Sequence, residues 1–192
     1  MIPTDTVYGV AAAVAPGPVR RLYLAKGRPE SRPIPLLVAG TAAARTVVAT
    51  WPPEAEVLAE RFWPGALTIV LPAQPALPEE VTAGTGTVGV RWPRGALVEE
   101  VIAGAGGVLA VTSANRTGRP PATRASEAAE ALGDAVAYIL DGGCLEGNVA
   151  STVVELGRDG HRILREGPIG SAQIEETLQA YHQSHFAVRD TK

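Results

Sequence analysis

The feature that most constrains this chain is a set of short β-branched runs, most of them closed by Gly or Pro, mixed irregularly with stretches of helical period. Runs at Pro35 to Ala39, Leu67 to Leu71, Thr87 to Trp92, Val108 to Thr112, Ala135 to Leu140, Thr152 to Leu156 and Arg162 to Leu164 read as strands. Between them, Val19 to Ala25, Glu54 to Phe62, Ala96 to Ala103 and Arg124 to Leu132 follow a helical period, the last capped by Thr123 and stopped at Gly133. Ser171 to Tyr181 adds a final helix with Ile174, Leu178 and Tyr181 at helical spacing. Strands and helices intermix without regular alternation, so an α/β (α+β) layered fold with a mixed sheet is expected. Nearly half of the 192 residues are apolar (46%), enough for one core over residues 1–182, with 183–192 as a polar tail.

The formal charge of −3 disfavours a stand-alone nucleic-acid binder, so direct RNA binding is expected to be weak or absent. Cys144 is alone and can form no intrachain disulfide. No apolar run approaches the ~18 to 20 residues a membrane span needs, and no targeting segment opens the chain, so a cytoplasmic protein without membrane contact is expected.

Some motifs fail on context. Gly84-Thr85-Gly86-Thr87-Val88-Gly89 has the G-x-G-x-x-G spacing but leads into a strand rather than a helix, and reads as a glycine-rich turn. Neither lysine, Lys26 nor Lys192, stands in a Walker loop. His182 and His185 lack a third ligand, so no protein-bound metal is expected. With His161 the only other histidine, no Ser-His-Asp constellation forms.

Three polar clusters survive: P-T-D-T-V-Y-G (Pro3 to Gly9), K-G-R-P (Lys26 to Pro29) and T-S-A-N-R-T-G (Thr112 to Gly118). Each abuts an apolar segment, so all three could gather at strand ends and outline a nucleotide site. Lys26 and Arg28, two residues apart around a glycine, could aim at one anion, or could complement a helix C-terminus. Ser113 and Asn115 offer donors and acceptors at a strand end, or bond their own turn. Arg91, inside a strand, needs either an internal carboxylate or a ligand carboxylate, and Arg165 faces the same choice. Glu166 is a poor partner for Arg165, because adjacent strand residues face opposite ways.

In this order, with R-F-W-P-G-A-L-T-I-V-L, T-V-G-V-R-W-P, S-T-V-V-E-L and I-L-R-E-G between and after them, the blocks resemble the YrdC/TsaC family of L-threonylcarbamoyladenylate synthases from Pro3 to Gly167. The resemblance implies a YrdC-like twisted mixed sheet flanked by helices around a concave, positively charged cavity. It implies use of ATP with Mg²⁺, L-threonine and bicarbonate or CO2 to form threonylcarbamoyl-AMP and pyrophosphate. The product would pass to a separate tRNA threonylcarbamoyltransferase complex for modification at position 37. Carried over by motif, Thr6, Tyr8, Leu37, Arg91, Val111 and Ser151 would surround threonine. Lys26, Arg28, Arg32, Thr87, Ser113, Asn115, Pro121 and Arg165 would surround ATP, with Lys26 and Arg28 catalytic through charge. Loss of Lys26 is then expected to lower turnover far more than stability.

Members of the family carry a helix and a strand ahead of P-T-D-T; their lack here suggests a start that lies upstream. Ala150 stands where Glu is frequent, after an atypical G-C-L-E-G-N-V-A loop. Two alternatives remain: the carbamoyl-adenylate-forming module of hydrogenase maturation, which travels with zinc-finger cysteines, and a non-catalytic RNA-binding or ribosome-assembly relative.

Overall fold

The computed structural model describes residues 1–147, 149–158 and 160–186, the side chains of 185 and 186 excepted. In chain order the elements are β1 (Gly9–Ala12), α1 (Pro16–Lys26), β2 (Leu36–Val38), α2 (Thr41–Val47), α3 (Pro53–Phe62), β3 (Leu67–Pro72), α4 (Glu79–Thr82) and β4 (Thr87–Arg91). They continue with α5 (Ala96–Gly104), β5 (Val108–Ser113), α6 (Ala125–Leu132), a 3₁₀ turn (Gly133–Ala135), β6 (Thr152–Gly157), β7 (Gly160–Arg165) and α7 (Ser171–Phe186). Among the described residues, seven strands form one sheet in the order β1-β5-β2-β4-β3-β6-β7. The pairs β2/β4 and β3/β6 are parallel and the other four are antiparallel, so the sheet is mixed as expected.

Pleating divides the sheet into two unlike faces. Leu36, Val38, Val90, Ile69 and Val154 point into the larger core, packed with Val19 and Leu22 of α1, Leu58 of α3 and Ile174 of α7. The alternate residues Leu37, Leu109 and Val111 join Val98 and Ile102 of α5 in a smaller cluster on the opposite face. Leu37 pairs with Arg91, and Gly9 with Ser113, so the same alternation brings Arg91, Gly9 and Ser113 to the face that α5 partly covers. Thr68 joins them, because its neighbour Ile69 is opposite Val90. A Cβ on Gly9 would lie 2.6 Å from Val111 Cγ1, so only glycine leaves this part of the face flat.

Several sequence expectations need correction. Ala135–Leu140 is not a strand: Val136 N–H closes the 3₁₀ turn on Gly133 O, Leu140 N–H donates to Met1 O and the Met1 amino group to Tyr138 O, and among the described residues no ladder forms. The G-V-A-A of β1 and the T-A-A-A-R-T-V of α2 were not apparent, because alanine carries neither period. The four-residue α4 is too short for one. Thr123 is not the cap of α6; instead the Glu127 carboxylate accepts from the backbone N–H groups of Thr123 and Arg124 and from the Thr123 hydroxyl. Helix α7 runs beyond Tyr181 to Phe186, since polar residues can extend a helix whose earlier turns are held by Ile174 and Leu178. The rest of the expected tail, residues 187–192, lies outside the described residues, as does the His185 side chain.

Candidate active site

On the half-covered face, Thr6, Arg28, Arg91, Ser113, Ser151 and Arg165 line a cavity of about 160 Å³, with Leu37 and Val111 as its apolar floor. Larger hollows of about 290, 360, 620 and 640 Å³ are also present. None of these four gathers several arginines with hydroxyls, so the chemistry of the lining, not the size, singles out the smaller one.

The P-T-D-T segment is wound around one hydroxyl. Thr4 Oγ1 donates to Val7 O at 2.7 Å and accepts the N–H groups of Thr6 and Val7, both at 3.2 Å. This turn fixes Thr6, whose hydroxyl lies 3.0 Å from that of Thr4 and accepts from Arg91 Nη1 at 3.0 Å. Arg91 is 6% exposed; its Nε donates to Gly65 O at 2.9 Å and its Nη2 forms an ion pair with Asp5. Of the two readings open for Arg91, the internal carboxylate is therefore present. Burial depresses the Arg91 pKa, the Asp5 carboxylate opposes that shift, and repulsion from the Arg165 guanidinium adds to it.

Arg165 also lines the cavity; its Nε donates to Ser151 O at 2.9 Å and its Nη2 to Ser151 Oγ at 3.2 Å. Ser151 Oγ in turn lies 2.8 Å from Thr68 Oγ1. Arg28 follows Gly27, whose φ of 57° ends α1 in the left-handed region, and bonds Arg32 O and Pro33 O at 3.2 and 2.8 Å. Burial lowers the pKa of both arginines, and repulsion from Arg32 and Arg165 lowers that of Arg28 further. Glu166 does not pair with Arg165; it accepts the N–H of Ser171.

The remaining positions chosen from sequence do not reach the cavity surface. Lys26 is 3% exposed, and its ammonium donates to Ser113 O, to Asn115 O at 2.5 Å and to Asn115 Oδ1 at 3.0 Å. With Ser113 Oγ at 3.5 Å, four oxygens surround its three N–H groups, so Lys26 braces α1 against the end of β5. Burial, then repulsion from Arg28, lowers its pKa to about 8. Asn115 is spent in this brace and in bonds to Arg116 O and Arg119 O. Tyr8 is fully buried; its hydroxyl donates to Gly143 O at 2.9 Å and accepts from Gly142 N–H at 3.0 Å, tying down the loop before β6. Thr87 sits opposite Pro72 at the far end of β4, four steps or about 13 Å along the strand from Arg91. The Arg32 side chain is exposed and Pro121 lies in the loop after Asn115, both outside the lining.

Sequence reasoning missed Asp5, Thr4 and Thr68. Asp5 stood inside the first motif as its only acid. In L-T-I-V-L, Thr68 faces away from Leu67, Ile69 and Leu71 and is the one polar side chain of an otherwise apolar run. Among the described residues no group of three or more His, Cys, Asp or Glu side chains could hold a metal, and no helix is long and apolar enough to cross a membrane.

A mixed sheet whose strand ends gather three arginines and several hydroxyls in one hollow defines an α/β domain with an arginine- and hydroxyl-lined cavity. The chain belongs to the Sua5/YciO/YrdC family, whose sequence model, described as "Telomere recombination", matches residues 1–167. It is 40% identical over 182 residues to the threonylcarbamoyl-AMP synthase of Bacillus subtilis, covering 94% of this chain and 53% of that protein. With the threonylcarbamoyl-AMP synthase of Halorhodospira halophila the identity is 32%, over 85% of each chain. The solved structure of Pyrococcus abyssi Sua5 complexed with L-threonine superposes with a TM-score of 0.88 at 37% identity, covering 91% of this chain and 52% of that one. The chain thus spans about half the length of the Bacillus and Pyrococcus proteins it matches.

Proposed function

We propose that the chain carries the threonylcarbamoyl-AMP synthase reaction, joining L-threonine, CO2 or bicarbonate, and ATP. The observation that supports this most is Arg91, buried at the cavity floor beside the hydroxyls of Thr4 and Thr6, within a domain 37% identical to one solved with L-threonine. A hollow of about 160 Å³ suits a small amino acid and is below the ~300 Å³ typical of larger ligands. The nucleotide would therefore lie across the rim, with Arg28, Arg165 and Ser113 toward its phosphates. With Arg28, Arg91 and Arg165 against the single carboxylate of Asp5, the cavity would be electropositive.

In this reading the threonine amine attacks CO2, loses a proton and becomes a carbamate. A carbamate oxygen attacks the α-phosphorus of ATP in line, its new P–O bond replacing the one to pyrophosphate. The protein supplies alignment and fixed positive charge, which act where charge builds on the phosphates. No side-chain nucleophile takes part. Mg²⁺ would enter with ATP as part of the substrate. Transfer of the threonylcarbamoyl group to tRNA would fall to a separate complex.

The test is pyrophosphate release with ATP and Mg²⁺, omitting L-threonine or bicarbonate in turn. Release that requires both is the expected result. Release independent of threonine, or none while ATP still binds, would overturn the proposal.

A further inference from the structure

Among the described residues, the three cavity arginines differ in one respect: Arg91 is paired with a carboxylate, whereas Arg28 and Arg165 donate only to neutral oxygens. We infer that Asp5 is a specificity-determining positioning residue, which orients Arg91 and cancels its charge so that this end of the cavity admits the carboxylate of a zwitterion and excludes phosphate.

The inference rests on the proposal that an amino acid and a nucleotide share the cavity. Both ligands present anionic oxygens, and arginine binds either one in the same bidentate manner. A chain with three arginines in one hollow therefore needs a device that keeps phosphate away from the amino-acid end. Asp5 has the placement for it. It is not among the residues lining the cavity, but sits between Thr4 and Thr6 in the turn wound on the Thr4 hydroxyl, and pairs with Arg91 Nη2. Three of the five guanidinium donors are engaged, by Gly65 O, Thr6 Oγ1 and Asp5, which fixes the plane of the fork and leaves one N–H on each terminal nitrogen. A ligand bearing its own ammonium is neutral overall and loses little to the nearby Asp5 charge. A phosphate dianion is repelled by it, and finds at Arg28 and Arg165 two guanidinium groups without a paired carboxylate.

The experiment is calorimetric titration of L-threonine into the purified chain and into Asp5→Asn, each with and without saturating inorganic phosphate, with folding checked by circular dichroism. Asn keeps the size and one acceptor and removes the charge. In the wild type phosphate is expected to leave threonine affinity unchanged. In Asp5→Asn it is expected to compete and to weaken apparent threonine affinity about tenfold. Competition already present in the wild type, or none in the variant, overturns the inference while leaving the functional reading intact. If the wild type binds no threonine, the functional reading fails, and phosphate stoichiometry still decides the role of Asp5: an additional phosphate in the variant supports it, and an equal number overturns it. Should Asp5→Asn not fold, Asp5→Glu serves instead, retaining the charge at altered reach. Weaker threonine binding without phosphate competition is then expected, and competition would overturn the inference.

Discussion

The two basic ends of the cavity are built on opposite plans. At one end Arg91 is buried, charge-paired with Asp5 and locked by Thr6 and Gly65. At the other, Arg165 and Arg28 are held by Ser151, Arg32 and Pro33 through neutral oxygens, and their charge stays uncompensated among the described residues. Burying a guanidinium is costly without a partner, so the deep end needs its own carboxylate, whereas the rim can leave its cations to water or to a ligand anion. The deep end is therefore suited to recognising shape, and the rim to attracting charge.

The sharpest way to break this contrast is Arg91→Met. Removing one member of a buried ion pair strands the Asp5 carboxylate, and a loss of about 3 kcal/mol in unfolding free energy is expected. Threonine binding should vanish with it. Urea unfolding and calorimetry measure both. A variant as stable as the wild type would show that Asp5 is solvated well enough to stand alone, and that the deep end is not built around the pair.

Lys26 belongs to neither end. Its acceptors on Ser113 and Asn115 make it a brace, so the sequence-based expectation that its loss would spare stability does not suit the geometry. Lys26→Met should cost about 3 kcal/mol at pH 9.5 and about 1 kcal/mol at pH 7.5, by leaving the Asn115 carbonyl unsatisfied, whereas Ser113 O keeps the Asn115 N–H at 3.0 Å. The pH dependence has a definite sign. With the folded pKa at about 8, below the ordinary 10.5, the unfolded chain holds more protons between those values, and stability rises with pH across that window. From pH 7.5 to 9.5 the wild type should gain about 2 kcal/mol relative to Lys26→Met. Parallel profiles for the two proteins would show that the ammonium keeps its ordinary affinity for protons.

Much of the cavity was legible through the family resemblance, which named Leu37, Arg91, Val111 and Ser113; the paired strands show why these share a face, since pleating puts alternate residues on one side. Thr6, Arg28, Ser151 and Arg165 come from the ends of those same blocks. What was hidden required a partner far along the chain. Nothing in P-T-D-T tells that Asp5 meets a guanidinium 86 positions later. Nothing in K-G-R-P tells that Lys26 spends every donor on the end of β5, while Arg28, two residues on, turns to the cavity. The Ala135–Leu140 run shows the converse, a strand-like pattern for which the sheet offers no neighbour.

At the rim a milder change is expected. Ser151→Ala removes the hydroxyl that links Arg165 to Thr68 but leaves the carbonyl that holds Arg165 Nε. A stability loss of about 1 kcal/mol should accompany a severalfold rise in the KM for ATP. Turnover at saturating ATP should change little, because the guanidinium keeps one tether and its charge. A fall in kcat with KM unchanged would mean that the rim is aligned as tightly as the deep end.

Thr87 gives the smallest effect and the cleanest control. It shares β4 with Arg91, yet lies at the opposite end, where its hydroxyl meets only that of Thr85 at 3.1 Å on an exposed turn. If the cavity is organised by which strand end a residue occupies, rather than by which motif it belongs to, Thr87→Ala should alter stability by less than about 0.5 kcal/mol. The KM values for ATP and threonine should remain within twofold of wild type, roughly the limit set by such a small free-energy change. A tenfold loss of ATP affinity with folding intact would require the nucleotide to extend along the whole of β4. The rim would then reach well past Arg28 and Arg165, and the division of labour between the two ends would have to be redrawn around a third contact.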